Sequence, residues 1–202
     1  MKQVSIIGIG LIGGSFALDL KHYFPEVYIT GIDQNQTHLT EAISLGIVDQ
    51  IGSLNSLKTA DLVVLAIPVN AALEVLPQVL NSISDQAVVI DMGSTKEAIC
   101  KIVSTHPKRG QFLATHPIAG TEFSGPSAAI QGLFKNKTNI ICEVEKTSPA
   151  LGETVLTVFK TMGMHLRFMA ANEHDKHIAY VSHLSHISTF MLGKTVIEKE
   201  KN

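Results

Sequence analysis

His116 stands in the stretch FLATHPIAGTEFSG, residues 112–125, where an apolar run gives way to proline, glycines and polar residues. An imidazole ionises near neutrality, so at the end of a strand it suits removal of a proton from a hydroxyl while a hydride leaves the same carbon. A histidine in this place is equally compatible with an ordinary loop residue, and the stretch alone does not choose. Pro117 keeps His116 extended and Gly120 allows close backbone approach.

A hydride needs an acceptor, and the amino-terminal residues carry a site for one. The run GIGLIG supplies Gly8, Gly10, Leu11, Ile12 and Gly13 after an apolar strand and ahead of the helical pattern GSFALDLKHY. Glycines so placed make a tight turn, let backbone approach a pyrophosphate, and pack helix on strand, with the helix N-terminus facing the phosphate charge. The second strand pattern, VYITGID, ends at Asp33, twenty residues past Gly13, where a carboxylate accepts hydrogen bonds from a ribose diol. Gln34 and Asn35 follow it, with no cation to neutralise a 2′-phosphate, so NAD is favoured over NADP. FAD is disfavoured by the lack of a second flavin motif. Pro68, in AIPV, either directs the chain over the cofactor or simply terminates a strand.

Ser94, in DMGSTK, has two readings. Either Ser94 or Thr95 caps the helix that continues KEAICKIV, with Glu97 spaced for a capping box, or the Ser94 hydroxyl bonds a catalytic group or the nicotinamide.

These residues need a scaffold. Short apolar runs at residues 3–8, 27–32, 62–67, 87–91, 111–115, 138–144 and 165–168 alternate with helix-length segments. That alternation predicts an α/β fold, a doubly wound and mostly parallel Rossmann-type sheet whose strand ends carry the three motifs. The last two runs are candidates for antiparallel pairing at an edge. Beyond Ala170 the pattern is helical, with a long helix expected from about Glu173 to Glu200, Asn172 as its N-cap and Asp175 in its first turn. The expected organisation is a dinucleotide-binding domain over residues 1–170, followed at 171–202 by the first long helix of a truncated domain.

Composition sets the class. The chain has 202 residues, 45% hydrophobic, with a formal net charge of -2, which favours small-molecule partners over nucleic acid. No apolar stretch is long enough for a membrane span, and a cytoplasmic location is expected. Cys100 and Cys142 lie in apolar surroundings without metal or redox spacing, as reduced core residues do. His174, His177, His183 and His186 scatter around a helix and lack carboxylate partners at ligand spacing, so no metal is expected. His183 and His186 share a face that suits an anionic ligand or the core.

In this order and at these separations, GIGLIGGS, AIPV, DMGSTK, HPIAGTEFSG and EHDKHIAYVSHLSH resemble the prephenate dehydrogenase family of tyrosine biosynthesis. The resemblance implies NAD-dependent oxidative decarboxylation of prephenate to 4-hydroxyphenylpyruvate. It implies His116 as the group on the ring hydroxyl, with Ser94 orienting that histidine or the hydroxyl. Thr121 and Glu122 match the active-site entrance, while Ser182, His183 and His186 match the helix motif facing substrate or a tyrosine effector. A helical domain that binds substrate and forms a homodimer follows the dinucleotide domain in the family, so the chain reads as cut after that domain's first helix and is expected to turn over prephenate poorly.

The two arginines, Arg109 and Arg167, lie outside the family's substrate motifs. Arogenate dehydrogenase is the nearest alternative, and a 3-hydroxyacid dehydrogenase is a further one, for which Lys176 only loosely approximates a catalytic lysine. A module that binds or senses NAD without chemistry is the alternative outside enzymes; His116 together with Ser94 argues against it.

Overall fold

Apolar runs too short for helices form one sheet: β1 (Gln3–Ile7), β2 (Tyr28–Ile32), β3 (Gln50–Ile51), β4 (Leu62–Leu65), β5 (Val88–Asp91), β6 (Phe112–Pro117), β7 (Thr138–Cys142) and β8 (His165–Met169). Between and after them lie α1 (Leu11–Tyr23), α2 (Gln36–Ser44), α3 (Val69–Ser82), α4 (Glu97–Ile102), α5 (Pro149–Thr161) and α6 (Ala171–Ile178). The computed structural model describes residues 1–183, with the backbone alone for Ser182 and His183.

The eight strands stand in the order β3-β2-β1-β4-β5-β6-β7-β8. Strands β1 to β6 are parallel, β6 pairs antiparallel with β7, and β7 is parallel to β8. The candidate antiparallel pairing of the last two runs is therefore corrected: the reversal falls one strand earlier. The connections explain it. Residues 118–137 hold only the short turn Pro126–Ala128 and no crossover helix, so the chain folds straight back from β6 to β7. A helix, α5, then carries it from the end of β7 to the start of a parallel β8. The two-residue β3 was not expected, being too short to show a period.

Buried side chains cover both faces of the sheet. On one face Phe16, Leu20, Leu39 and Phe159 draw in α1, α2 and α5; on the other Leu76, Leu80, Ile99 and Ala171 draw in α3, α4 and α6. Phe16 meets Phe134 and Phe159 edge-on, with ring centroids 5.7 and 6.2 Å apart. Truncating such a ring to alanine costs about 3–5 kcal/mol. Cys100 and Cys142 are free and buried, and burial pushes both thiols up to about 12, in keeping with inert core residues.

The last described helix starts earlier than expected. Ala170 occupies the N-cap rather than Asn172, and Glu173 is the acid of the first turn. Asp175 instead turns its carboxylate toward another helix. A π-helical turn, Ala179–His183, follows α6, and the rest of the expected helix lies outside the described residues. No described helix is long and apolar enough to cross a membrane.

Candidate active site

The chain lays β1, β2 and β3 on one side, then crosses to β4, β5 and β6 on the other, and this reversal opens a crevice at the carboxyl ends of β1 and β4. A cavity of about 580 Å³ lies there, lined among others by Gly8, Gly10, Leu11, Ile12, Asp33 and Pro68. Gly8 has φ +94°, and a Cβ on it would stand 2.4 Å from the Ala66 carbonyl oxygen. A Cβ on Gly13 would stand 2.0 Å from the Gly8 carbonyl oxygen. Only glycine fits either place, so the turn brings the start of α1 directly over the strand end. Gly10 has open space where a Cβ would be, and backbone alone faces the cavity there.

Asp33 follows β2 at the cavity wall. Its carboxylate accepts from the Ile9 N–H at 2.9 Å and from the Asn35 N–H at 2.9 Å, which ties the glycine turn to the end of β2. Pro68 is the N-cap residue of α3 and also lines the cavity.

Beyond the crevice, His116 is the penultimate residue of β6 and is paired with Ile140. The strand extends two residues past its expected end and holds the imidazole on rigid backbone. His116 Nδ1 meets His174 Nε2 at 2.8 Å, and His174 Nδ1 meets Asp175 Oδ1 at 2.7 Å. His174 is wholly buried. The Asp175 carboxylate also accepts the Lys96 and Glu97 N–H groups at 2.7 and 2.9 Å. It thereby supplies the cap of α4 from a distant helix.

This corrects the capping expectation. Lys96, not Ser94 or Thr95, is the N-cap residue of α4 and contributes no side-chain cap. The Lys96 side chain is buried instead, donating to the Asp91 carboxylate and, at 2.8 Å, to the Thr115 carbonyl. Ser94 is exposed in the loop after β5, and the nitrogen that meets His116 belongs to His174.

Electrostatics keep the pair of imidazoles neutral. Burial, joined by the charges of Lys96 and His174, pushes His116 down to about 3 against the opposing pull of Asp175. Burial also lowers His174, although Asp175 pulls the other way. For Asp175, burial favours the neutral acid but is outweighed by hydrogen bonds from Glu97, His174 and Lys96, which hold the carboxyl below its ordinary range.

Thr121 and Glu122 are exposed on the loop that follows His116, where they line an open pocket with Phe123 and Ser124. Phe123 and Ser124 also line the crevice, so this loop joins the two spaces. The Ser182 and His183 backbones lie in the π-helical turn; their side chains and all of His186 lie outside the described residues. Arg109 is buried at the opposite end of β6 from His116, donating to the Phe112 carbonyl at 2.8 Å and to Glu143 at 3.1 Å. It has no access to the crevice side. Among the described residues, no cluster of His, Cys, Asp or Glu has the arrangement of a metal site.

Sequence reasoning missed His174, Asp175 and Lys96. The first two were visible only as the adjacent pair in EHDKH, and Lys96 as the end of DMGSTK; their partners are remote in sequence.

An open α/β sheet with a glycine turn at its switch point and a carboxylate on the next strand defines a Rossmann-type nucleotide-binding domain. The family described as "Prephenate dehydrogenase, nucleotide-binding domain" matches residues 16–168. The chain belongs to the prephenate dehydrogenase family. It is 34% identical to prephenate dehydrogenase of Bacillus subtilis over 192 residues, 93% of this chain and 52% of that protein. Prephenate dehydrogenase of A. aeolicus, solved with hydroxyphenyl propionate and NAD+, superposes with a TM-score of 0.89 at 32% identity, covering 98% of this chain and 70% of that one. Synechocystis arogenate dehydrogenase gives 0.85 at 29% identity, covering 96% and 68%. The chain spans about half the length of the first curated relatives it matches.

Proposed function

We propose that this chain is the cofactor-binding and proton-handling part of an NAD-dependent dehydrogenase that converts prephenate to 4-hydroxyphenylpyruvate and carbon dioxide. The observation that carries the reading is His116: a neutral imidazole at the carboxyl end of β6, on the strand whose following loop lines the dinucleotide crevice.

The residues present fit NAD. Gly8 and Gly10 leave the crevice floor as bare backbone, Gly13 lets α1 pack closely on the strand end behind them, Leu11 and Ile12 begin the helix over the crevice, and Pro68 walls it. Asp33 is the acceptor for a ribose diol, and the neighbouring Gln34 and Asn35 supply no charge for a 2′-phosphate, which favours NAD over NADP. When bound, the nicotinamide accepts the hydride from the ring carbon that bears the substrate hydroxyl.

His116 accepts the hydroxyl proton as that hydride departs, leaving a ring carbonyl. Loss of the ring carboxylate as carbon dioxide returns its bonding electrons to the ring and to that oxygen, which takes the proton back as a phenol. Aromatisation drives the step, so His116 needs only to be neutral, aligned and shielded from water. Ser94, in the exposed loop after β5, is assigned by family likeness to orienting the substrate hydroxyl.

Substrate carboxylates need a cation. Arg167 pairs in register with Ile140, which pairs with His116, so Arg167 leaves the sheet on the face that His116 uses. It is the arginine available on that side, while Thr121 and Glu122 stand at the entrance. Ser182, His183 and His186 belong to the substrate or tyrosine-effector side by family likeness. By family likeness, α6 and the residues after it belong to the part that binds substrate and forms a homodimer.

The test is NADH formation from NAD with prephenate, arogenate run in parallel, and a His116→Asn chain as control. Turnover of either substrate that His116→Asn abolishes supports the reading and chooses between substrates. Prephenate-dependent turnover that survives His116→Asn would overturn it. Arogenate oxidation is the second reading, favoured by the likeness to the Synechocystis enzyme.

A further inference from the structure

We infer that His174 and Asp175 are positioning residues that dictate which nitrogen of His116 carries its proton, leaving the Nε2 lone pair of His116 bare toward the reacting hydroxyl. The inference rests on the proposed role of His116 and adds residues to that site.

Donors and acceptors along the chain of contacts fix the tautomer. Asp175 receives the backbone N–H groups of Lys96 and Glu97, which can only donate, so its carboxylate is fixed in place as an acceptor. His174 Nδ1, 2.7 Å from Asp175 Oδ1, must then hold a hydrogen. A neutral imidazole carries one N–H, so His174 Nε2 is an acceptor. His116 Nδ1, 2.8 Å away, must be the donor to it. The remaining nitrogen of His116, Nε2, therefore has a free lone pair.

The polarity starts from backbone that side-chain rotation cannot invert. The two rings meet at an interplanar angle of 68°, with His174 entirely buried and the sheet behind His116, so neither is free to turn over. In the opposite tautomer His116 would present an N–H to the substrate and could not take its proton.

The test uses the full chain labelled with nitrogen-15 in its histidines, with ring protonation read from long-range proton–nitrogen correlations at neutral pH and signals assigned by substitution. The expected pattern is a hydrogen on Nδ1 of both His116 and His174 and none on Nε2 of His116. His174→Gln, whose amide oxygen can replace the acceptor, keeps the His116 pattern. His174→Leu, which offers none, releases His116 to the Nε2–H form. In the NADH assay, His174→Leu lowers kcat about 100-fold with little change in the KM for NAD, and His174→Gln recovers at least tenfold of that loss.

A hydrogen on Nε2 of His116 in the unsubstituted chain would overturn the inference, as would a His174→Leu chain whose His116 pattern is unchanged. If His174→Leu does not fold, the unsubstituted and His174→Gln spectra decide. Absence of NAD binding with the expected ring pattern would count against the dehydrogenase reading while supporting the tautomer assignment.

Discussion

Lys96 and Asp91, five residues apart, form a fully buried ion pair, and the same ammonium reaches the Thr115 carbonyl at 2.8 Å. One side chain thus fastens the carboxyl ends of β5 and β6 at the residue before His116. The Asp91 carboxylate in turn accepts the Thr115 and Gly93 N–H groups, each at 3.1 Å. Burial favours the neutral form of Asp91, with Lys96 opposing, so the pair is stable only as a unit.

Lys96→Met leaves the Asp91 charge buried without its partner and should lower stability by about 3–5 kcal/mol. Adding Asp91→Asn removes that charge and should recover a large part of the loss. Urea denaturation of the two variants checks this; equal losses in the single and double variants would remove the ion-pair argument. His116 should also titrate higher in the double variant, because the Lys96 charge is one of the groups that hold it down.

Asp33 has two duties, since it closes the glycine turn through Ile9 and lines the crevice. Asp33→Asn keeps one acceptor oxygen but loses the charge and one of the two backbone bonds. The expected result is NADH binding weakened about tenfold, or about 1.4 kcal/mol, with a smaller penalty against NADPH. Fluorescence titration with both cofactors measures it, and unchanged NADH affinity would mean that Asp33 serves the turn alone.

How much of this was legible in the sequence follows from distance along the chain. Gly8, Gly13 and Asp33 act through local turn geometry and a fixed strand–helix–strand spacing, so their pattern was readable. The His174 contact with His116 spans 58 residues and the Asp175 cap of α4 spans 78 and 79. No local pattern encodes such meetings. Ser94 illustrates the cost: Ser-Thr-Lys-Glu reads as a capping box, yet Asp175 offers a charged acceptor to the same N–H groups and the local hydroxyl is displaced. The direction of β7 was hidden for a related reason, because an irregular connection carries no helical period to announce a crossover.

The two arginines should separate by phenotype. Arg109→Met removes donors from the Phe112 carbonyl and Glu143 and should cost roughly 1.5–3 kcal/mol of stability. Arg167 is exposed and on the His116 face, so Arg167→Met should leave the unfolding midpoint within about 0.5 kcal/mol and raise the KM for prephenate about tenfold. A KM that does not move would take Arg167 out of the substrate site.

Acid and neutral pH should act on the fold through opposite groups. His116 and His174 are held below the ordinary value of 6.5, His116 to about 3, so the folded chain binds fewer protons than the unfolded chain in that interval. Their contribution is complete above about pH 6.5 and drains away as pH falls through their lowered values, about 3 for His116. Asp19 has the reverse sign. It is buried in α1, accepts from the Gly132 N–H at 2.6 Å, and has a second oxygen without a partner among the described residues; burial raises its carboxyl above 3.8. Its contribution is complete below 3.8 and is lost as pH rises through the raised value. Asp19→Asn keeps an acceptor for Gly132 without the buried charge, so it should stabilise the chain at neutral pH and lose that advantage at about pH 4. His116→Asn should instead flatten part of the acid-side decline. Urea midpoints of the three proteins from roughly pH 4 to 8 separate the effects. An Asp19→Asn advantage that stays constant with pH would show that the Asp19 charge costs the fold nothing.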